Sequence, residues 1–422
     1  MKALARYRSF LLITLALSAA VFLLTRCSNS SSNKSSVKHS RGNTPADTAL
    51  YAGSASCGKC HADIYNKHLK TAHYLTSQPA NEQTIMGSFA EGKNVYTYTP
   101  LLNMMMHKTD SGLYQSVFYK GERKKDFRFD LVTGSGTKGQ TYLYWQGSKL
   151  FQMPVSYFTA AGQWANSPGF PSDRVMFDKP ISTRCLECHA TYVSLLSEPD
   201  VKNEEFDHRN MILGVDCEKC HGGGAQHVSF HTAHPEEKKG QHIVSFAAFT
   251  RQQQLDMCRL CHDGSIKKNS PSFSYRPGDN LADYFATDSI SAGAVNSDNV
   301  DVHGNQFGLL KASKCFSKST MTCSSCHNVH ENEKGNLVLY SKRCVACHAA
   351  PHKPVPEVTN EQMAANCIDC HMPAKPSRTL TLYVSNEETP AVAFIRSHFV
   401  SIYPDEVKQY IERLKKSPDA GR

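Results

Sequence analysis

Sixteen cysteines stand in the 422 residues, and fourteen of them fall into seven repeats of one pattern, Cys-x-x-Cys-His. The first four are Cys57/Cys60/His61, Cys185/Cys188/His189, Cys217/Cys220/His221 and Cys258/Cys261/His262. The last three are Cys323/Cys326/His327, Cys344/Cys347/His348 and Cys367/Cys370/His371. Residues at i, i+3 and i+4 share one face of a helical turn, so each repeat presents two thiols and an imidazole together. Two such thiols can each form a thioether with a porphyrin vinyl group while the histidine reaches the iron, and the pattern is the sequence mark of c-type haem attachment. Zinc knuckles and redox dithiols also use Cys-x-x-Cys, but neither needs histidine directly after the second cysteine. A chain of this length does not need disulfides to replace a missing core. The expected cofactor is haem c, seven copies covalently attached, with the seven motif histidines as proximal iron ligands.

Each iron has a second axial position. Histidine there makes a low-spin electron-transfer haem, methionine raises the potential, and an open position admits ligand chemistry. Thirteen histidines lie outside the motifs. His39, in a polar N-terminal stretch, is discounted, which leaves enough for histidine on both sides of every iron. Met104, Met105 and Met106 read as core beside a strand, and Met372 is too close to His371 to reach the far side of the same haem.

Several stretches resemble the cytochrome c-554 family and its multihaem relatives. Tyr51 to Ala80, YAGSASCGKCHADIYNKHLKTAHYLTSQPA, resembles the opening of that family, where a Ser/Thr-x-His supplies a distal ligand. That position is His73, with His68 as competitor. GVDCEKCHGGGAQHV resembles a second signature, whose closing histidine is His227. SKCFSKSTMTCSSCHNVH resembles a third, ending at His330. His398, in IRSHFVSIYP, is similar to a late family histidine. The resemblance implies distal roles for these four. His303, in a Val-His-Gly context, and His352, four residues after His348, complete the expected set of six. A seventh is to be sought among His107, His208, His231 and His234. The chain departs from cytochrome c-554 in carrying seven sites rather than four, and in a long insertion between the first two.

That insertion, residues 85–180, holds no cysteine and one histidine. Apolar and polar residues alternate over Leu113–Tyr119, Asp126–Val132 and Gln140–Gln146, separated by glycine-rich turns, which predicts antiparallel strands in a small sheet or sandwich. The expected fold class is a mostly α and irregular multihaem cytochrome fold with this small antiparallel β region inserted. The domain boundaries expected are 1–26 for an export signal or anchor and 27–50 for a tether. A first haem segment follows at 51–84, then the β-rich insertion at 85–180. A haem-rich domain with six haems covers 181–403, and a terminal helix and tail 404–422. Phe246–Leu255 and Thr359–Ala365 look helical and lead into motifs. Asp405–Lys416 has apolar residues at helical spacing.

Lys2, Arg6 and Arg8 precede an apolar run from Phe10 to Leu24, the pattern of an export signal. Cys27, just beyond it, is a candidate lipidation site, although Arg26 is unusual before a lipidated cysteine; the alternative is an uncleaved anchor. Both readings put the chain on the periplasmic side of a membrane and tethered to it. The other leftover cysteine, Cys315, reads as a buried apolar residue, with a reactive or haem-edge role as the alternative. The formal charge of +9 suggests a basic surface. Seven haems with two propionates each would bring it to about −5 when reduced and about +2 when oxidised. Nucleic acid is therefore not an expected partner. The expected function is electron transfer between membrane-associated and periplasmic or extracellular redox proteins. The alternative is an oxidoreductase acting on a small nitrogen or sulfur compound at an open haem.

Overall fold

The alternating stretches of the insertion form strands in the computed structural model, which describes residues 50–197, 204–287, 300–349, 352–385, 387 and 389–416. The export signal or anchor, Cys27, His39 and nearly all of the tether lie outside the described residues. The insertion is a two-sheet sandwich. One sheet runs β1 (Ser77–Pro79), β6 (Leu131–Thr133), β7 (Gly139–Gln146), β9 (Val155–Phe158), β10 (Gln163–Asn166), with β8 (Lys149–Gln152) also pairing with β7. The other is a meander of β2 (Val95–Thr99), β3 (Leu102–Thr109), β4 (Gly112–Tyr119) and β5 (Glu122–Arg128). Their inner faces meet in a core that includes Tyr96, Met104, Met106, Phe129, Tyr142, Met153 and Trp164, all at most 2% exposed. Met104 and Met106 point inward while Met105 points away, as period-two pleating requires.

One expected strand is divided. Asp126–Val132 reads as continuous, yet β5 ends at Arg128 and β6 begins at Leu131. The Asp130 carboxylate accepts the backbone N–H of Trp145 at 2.7 Å, and the chain crosses here from one sheet to the other. The sheet also starts earlier than residue 85, because β1 pairs with β6.

The expectation of a mostly α and irregular fold is overturned: 29% of residues are helical and 26% are strand. Two hairpins lie in the region expected to be mostly short helices and loops. β11 (Ala190–Leu195) pairs with β12 (Phe206–Leu213), and β15 (Ala374–Leu382) pairs with β16 (Ala391–Arg396). Haem attachment asks for only one helical turn per motif, so the residues between motifs are free to pack elsewhere. They pack on the sandwich. Ala190, Val193 and Phe206 join Leu131, Leu143 and Leu150 in a second core. Leu382, Val384 and Ala393 join Phe158 and Ala165 in a third. The β-branched and aromatic content of Thr191-Tyr-Val and of Ala391-Val-Ala-Phe-Ile suits such half-buried pleated surfaces. A short pair, β13 (Lys267–Lys268) with β14 (Phe285–Ala286), completes the strands among the described residues.

Helices are short, and several start on side-chain caps. α1 (Ser54–Gly58) and α2 (Ala62–His68) flank the first motif. α3 (Thr183–His189) and α4 (Cys217–His221) carry the second and third, and the Asp216 carboxylate accepts the N–H of Cys217 at the start of α4. α5 (Ala225–Ala233) follows. α6 (Arg251–His262) carries the fourth motif behind a Thr250/Gln253 capping box. That box explains why α6 does not reach back to Phe246: Thr250 is held extended as the cap. α7 (Gln306–Lys311) and α8 (Lys314–Ser317) precede the fifth motif, and α9 (Leu337–Val345) runs into the sixth. α10 (Asn360–Ala365), capped by Thr359 and Gln362, leads to α11 (Cys367–His371), the seventh. The terminal helix α12 spans Pro404–Lys416. All of these elements belong to one unit, Ser40–Arg422.

Candidate functional site

Each motif closes as a single turn. The histidine N–H donates to the carbonyl of the first cysteine at 2.9 Å in the first motif, 3.0 Å in the fifth and 2.9 Å in the sixth. The seven turns surround a common cavity of about 4090 Å³. A pocket for one drug-sized ligand measures about 300–1,000 Å³, so this one has room for several large groups. All seven motif histidines and thirteen of the fourteen motif cysteines line it. So do His73, His227, His303, His330, His352 and His398, the six expected distal residues. Among the described residues no three His, Cys, Asp or Glu side chains converge as a bare ion would require.

The imidazoles come in pairs at a narrow spacing. Ring centres stand 6.5 Å apart for His61 and His227, 6.2 Å for His221 and His330, and 6.1 Å for His262 and His73. They stand 6.2 Å apart for His327 and His398 and 6.1 Å for His371 and His352. Two metal–nitrogen bonds of about 2 Å, plus roughly 1 Å from each nitrogen to its ring centre, give about 6 Å. The spacing suits two rings facing one iron, and His68 also stands 6.5 Å from His330, so the outer nitrogens must separate them. In each pair one member is a motif histidine and the other an expected distal one. Of the two motif histidines outside these pairs, His189 and His348, the first has His303 in its electrostatic surroundings.

The outer nitrogens fit the same role. A ligating histidine usually donates its other N–H to a carbonyl or carboxylate, which fixes the ring and frees Nε2. His221 Nδ1 donates to Val244 O at 2.9 Å, His227 Nδ1 to Gln241 O at 2.7 Å, and His371 Nδ1 to Ser401 O at 2.8 Å. His189 Nδ1 bonds Thr76 Oγ1 at 2.9 Å, and His303 Nδ1 bonds the Asp301 carboxylate at 3.1 Å. Burial pushes His73 and His398 down to about 4, so both are neutral imidazoles at physiological pH, the form a metal needs. Sequence reading missed these supporting groups, because carbonyl acceptors such as Val244 and Ser401 carry no side-chain signature.

The same test separates the competitors. His68 uses Nε2 to donate to Val215 O at 3.2 Å. His107 Nε2 is bonded to Ser116 Oγ at 2.6 Å, His208 Nε2 donates to Gly147 O at 2.9 Å, and His231 Nε2 accepts from Gln241 N at 3.2 Å. His208 also lies flat on Trp145, and His234 stands by the Glu236 carboxylate at 3.5 Å. His107, His208 and His234 do not line the cavity. His73, by contrast, is delivered to it: its carbonyl accepts from Val215 N at 2.9 Å, next to Gly214. Gly214 has φ of 71°, and a Cβ there would stand 2.3 Å from Tyr74 O, so only glycine lets the two segments meet. Cys315 lines the cavity, half-buried, with its thiol 3.9 Å from Met321 Sδ.

These donors fit haem c: paired thiols and an imidazole on one turn, with a second imidazole opposite. Comparison with known proteins agrees. Residues 158–222, with the second and third motifs, match the family described as cytochrome c554 and c-prime. Residues 338–376, with the sixth and seventh, match the doubled CXXCH motif. The chain is a multihaem c-type cytochrome. The cytochrome is 26% identical over 214 residues to the C-type polyheme cytochrome OmcC of Geobacter sulfurreducens, a match covering 49% of this chain and 22% of OmcC. It therefore spans under a quarter of that relative's length. Its fold is similar to the crystal structure of the outer cell wall cytochrome OcwA, with a TM-score of 0.51 at 15% identity over 88% of this chain and 84% of OcwA. Haem c as the cofactor follows from the families and from OmcC.

Proposed function

We propose that the cytochrome holds seven haems c and passes electrons along them between redox protein partners. The observation that carries this reading is the way the motif sulfurs meet. Cys57 touches Cys217, Cys188 touches Cys261, Cys258 touches Cys323, and Cys344 touches Cys367. These contacts join the first motif to the third, the second to the fourth, the fourth to the fifth and the sixth to the seventh. Cys220 lies near Cys258, and Cys347 near Cys326, which links the third motif to the fourth and the fifth to the sixth. The seven motifs thus belong to one connected series with a branch at the fourth. In the assembled cytochrome these sulfurs are thioethers, so the contacts report nearness and not acidity.

A bound haem c supplies a one-electron iron couple. The chain's residues hold it, orient it and shield it. His61, His189, His221, His262, His327 and His371 would hold the haems from one side, with His227, His303, His330, His73, His398 and His352 as their partners. His348 is the seventh proximal residue. The exposed Cys60/His61 turn at one end of the series and the exposed Cys347/His348 turn, next to the other end, reach the surface, where partners would dock. Mass spectrometry and protein-film voltammetry test the proposal. Seven haem additions per chain, with reversible one-electron waves over a wide span of potential, are expected. Fewer additions, or haems that cannot be reduced through one another, would overturn it.

The proposal includes export and a membrane tether at the N-terminus. Its support is the Lys2–Leu24 pattern and the likeness to an outer cell wall cytochrome. Among the described residues no helix is long and apolar enough to cross a membrane. Cys27→Ser should release the cytochrome from the membrane fraction if Cys27 is lipidated and leave it bound if the apolar run is an uncleaved anchor; release of the unsubstituted protein would exclude a tether.

A further inference from the structure

We infer that the chain grades its first four haems by charge: those of the first and third motifs sit at lower potential than those of the second and fourth, so electrons entering at the exposed first motif run toward the fourth. The inference rests on the seven-haem reading and adds a direction to it. The third motif, Cys217-Glu218-Lys219-Cys220-His221, carries the argument. Its two intervening residues send opposite charges to opposite sides.

Glu218 turns to the first motif. Its Oε1 accepts from Ala52 N and Gly224 N, both at 2.7 Å, and its Oε2 accepts from Gly53 N at 3.0 Å. Asp216 is close by, with Oδ1 accepting from Cys217 N at 2.7 Å. Both carboxylates are buried, and both lie near Cys57, the first-motif cysteine that touches Cys217. Lys59, the charged residue inside the first motif, is exposed, where water and salt screen it.

Lys219 turns the other way. Its Nζ donates to Thr191 O at 3.5 Å and stands 4.9 Å over the Phe273 ring, near Cys188 of the second motif and Cys261 of the fourth. Arg184 joins it. The guanidinium spans both motifs, with Nη1 3.2 Å from Cys188 Sγ and Nη2 donating to Leu260 O at 2.8 Å. Glu187, 3.6 Å from Arg184, sets one carboxylate against these two cations. Within the fourth motif Arg259 is spanned by Asp256 and Asp263, and Lys311 also acts at Asp263, so that group adds no net charge.

In the seven-haem reading each of these four irons has two imidazoles and each haem two propionates, so the protein's own charges distinguish them. A nearby carboxylate favours the more positive ferric centre and lowers its potential; a nearby cation raises it. Burial keeps these charges from being screened as surface charges are. The first and third haems meet at Asp216 and Glu218, the second and fourth at Arg184 and Lys219.

Mass spectrometry of the full, matured protein must first show a haem on each of the four motifs; one missing would overturn both this inference and the seven-haem reading. Haem-methyl exchange NMR of partly reduced protein, with the methyls assigned through neighbouring side chains, then gives the order of reduction. The second and fourth haems should reduce before the first and third. The reverse order, or four equal potentials, would overturn the inference and leave electron transfer along the series intact. Lys219→Gln should shift the second and fourth haems to lower potential by more than the first, and Lys219→Arg, which keeps the charge, should restore them. Glu218→Gln should shift the first and third haems upward; if that variant does not mature, the order in the unsubstituted protein and the Lys219 pair still decide. A loss of thermal stability in Lys219→Gln with every potential unmoved would make Lys219 a structural residue and overturn the inference.

Discussion

At the scale of single residues, the choice between His68 and His73 turns on one nitrogen. Both lie in the same short stretch, both are buried or nearly so, and both border the cavity. His68 spends Nε2 on Val215 O, whereas the His73 ring faces His262 at 6.1 Å. His73→Met should therefore disturb the haem proposed at the fourth motif. Near-infrared magnetic circular dichroism should lose one bis-histidine band and gain a histidine–methionine one. His68→Gln, which keeps a donor to Val215 O, should leave the spectrum unchanged. The opposite pattern would exchange the two roles.

At the scale of elements, neighbouring motifs are locked together by side chains outside them. Arg343, in α9 just before the sixth motif, donates to both carboxylate oxygens of Glu333 at 2.7 and 2.5 Å, and to Cys326 O of the fifth motif at 2.7 Å. Glu333 also accepts the Asn328 N–H at 3.1 Å. The Arg343 guanidinium holds the Glu333 carboxyl below the usual glutamate range. A depressed folded value stabilises the fold above the ordinary glutamate range, and that contribution is lost as pH falls through the depressed value. Hydrogen bonds to charged groups contribute about 1.5–3 kcal/mol each. Glu333→Gln should lower Tm at neutral pH and flatten its fall on acidification, as a pH series of thermal melts would read. A Tm that keeps the wild-type acid slope would show that the pair contributes no linkage.

At the scale of the whole molecule, apolar packing and cofactor packing are divided between two regions. The sandwich contributes a large continuous core, with Trp164, Tyr142 and Met153 at its centre. The haem-bearing part has only small clusters of its own, such as Leu260 with Ile266, Leu281 and Phe285, and Leu255 with Phe307 and Phe316. Bound cofactors must supply the apolar filling of its cavity. Chain made without haem attachment should therefore keep the β signature of the sandwich in circular dichroism and lose the helices. Proteolysis should open residues 251–349 before residues 95–166. A cofactor-free chain that resists protease throughout would show that the haems are not needed for folding.

The sequence by itself determined the cofactor chemistry, since attachment needs only two thiols and an imidazole on one turn, and five consecutive residues specify that turn. It also marked the caps of the helices leading into the motifs and the alternating strands of the insertion, which are local properties. It did not reveal the hairpins at 190–213 and 374–396, because their strands are stabilised by packing on residues far away in the chain, Leu143 and Phe158 among them. Nor did it find the carbonyls of Val244 and Ser401 behind the candidate ligands, or join the motifs into one branched series. Those depend on which backbone atoms and which sulfurs come within a few ångströms across gaps of tens to hundreds of residues. Only the tertiary fold brings them there.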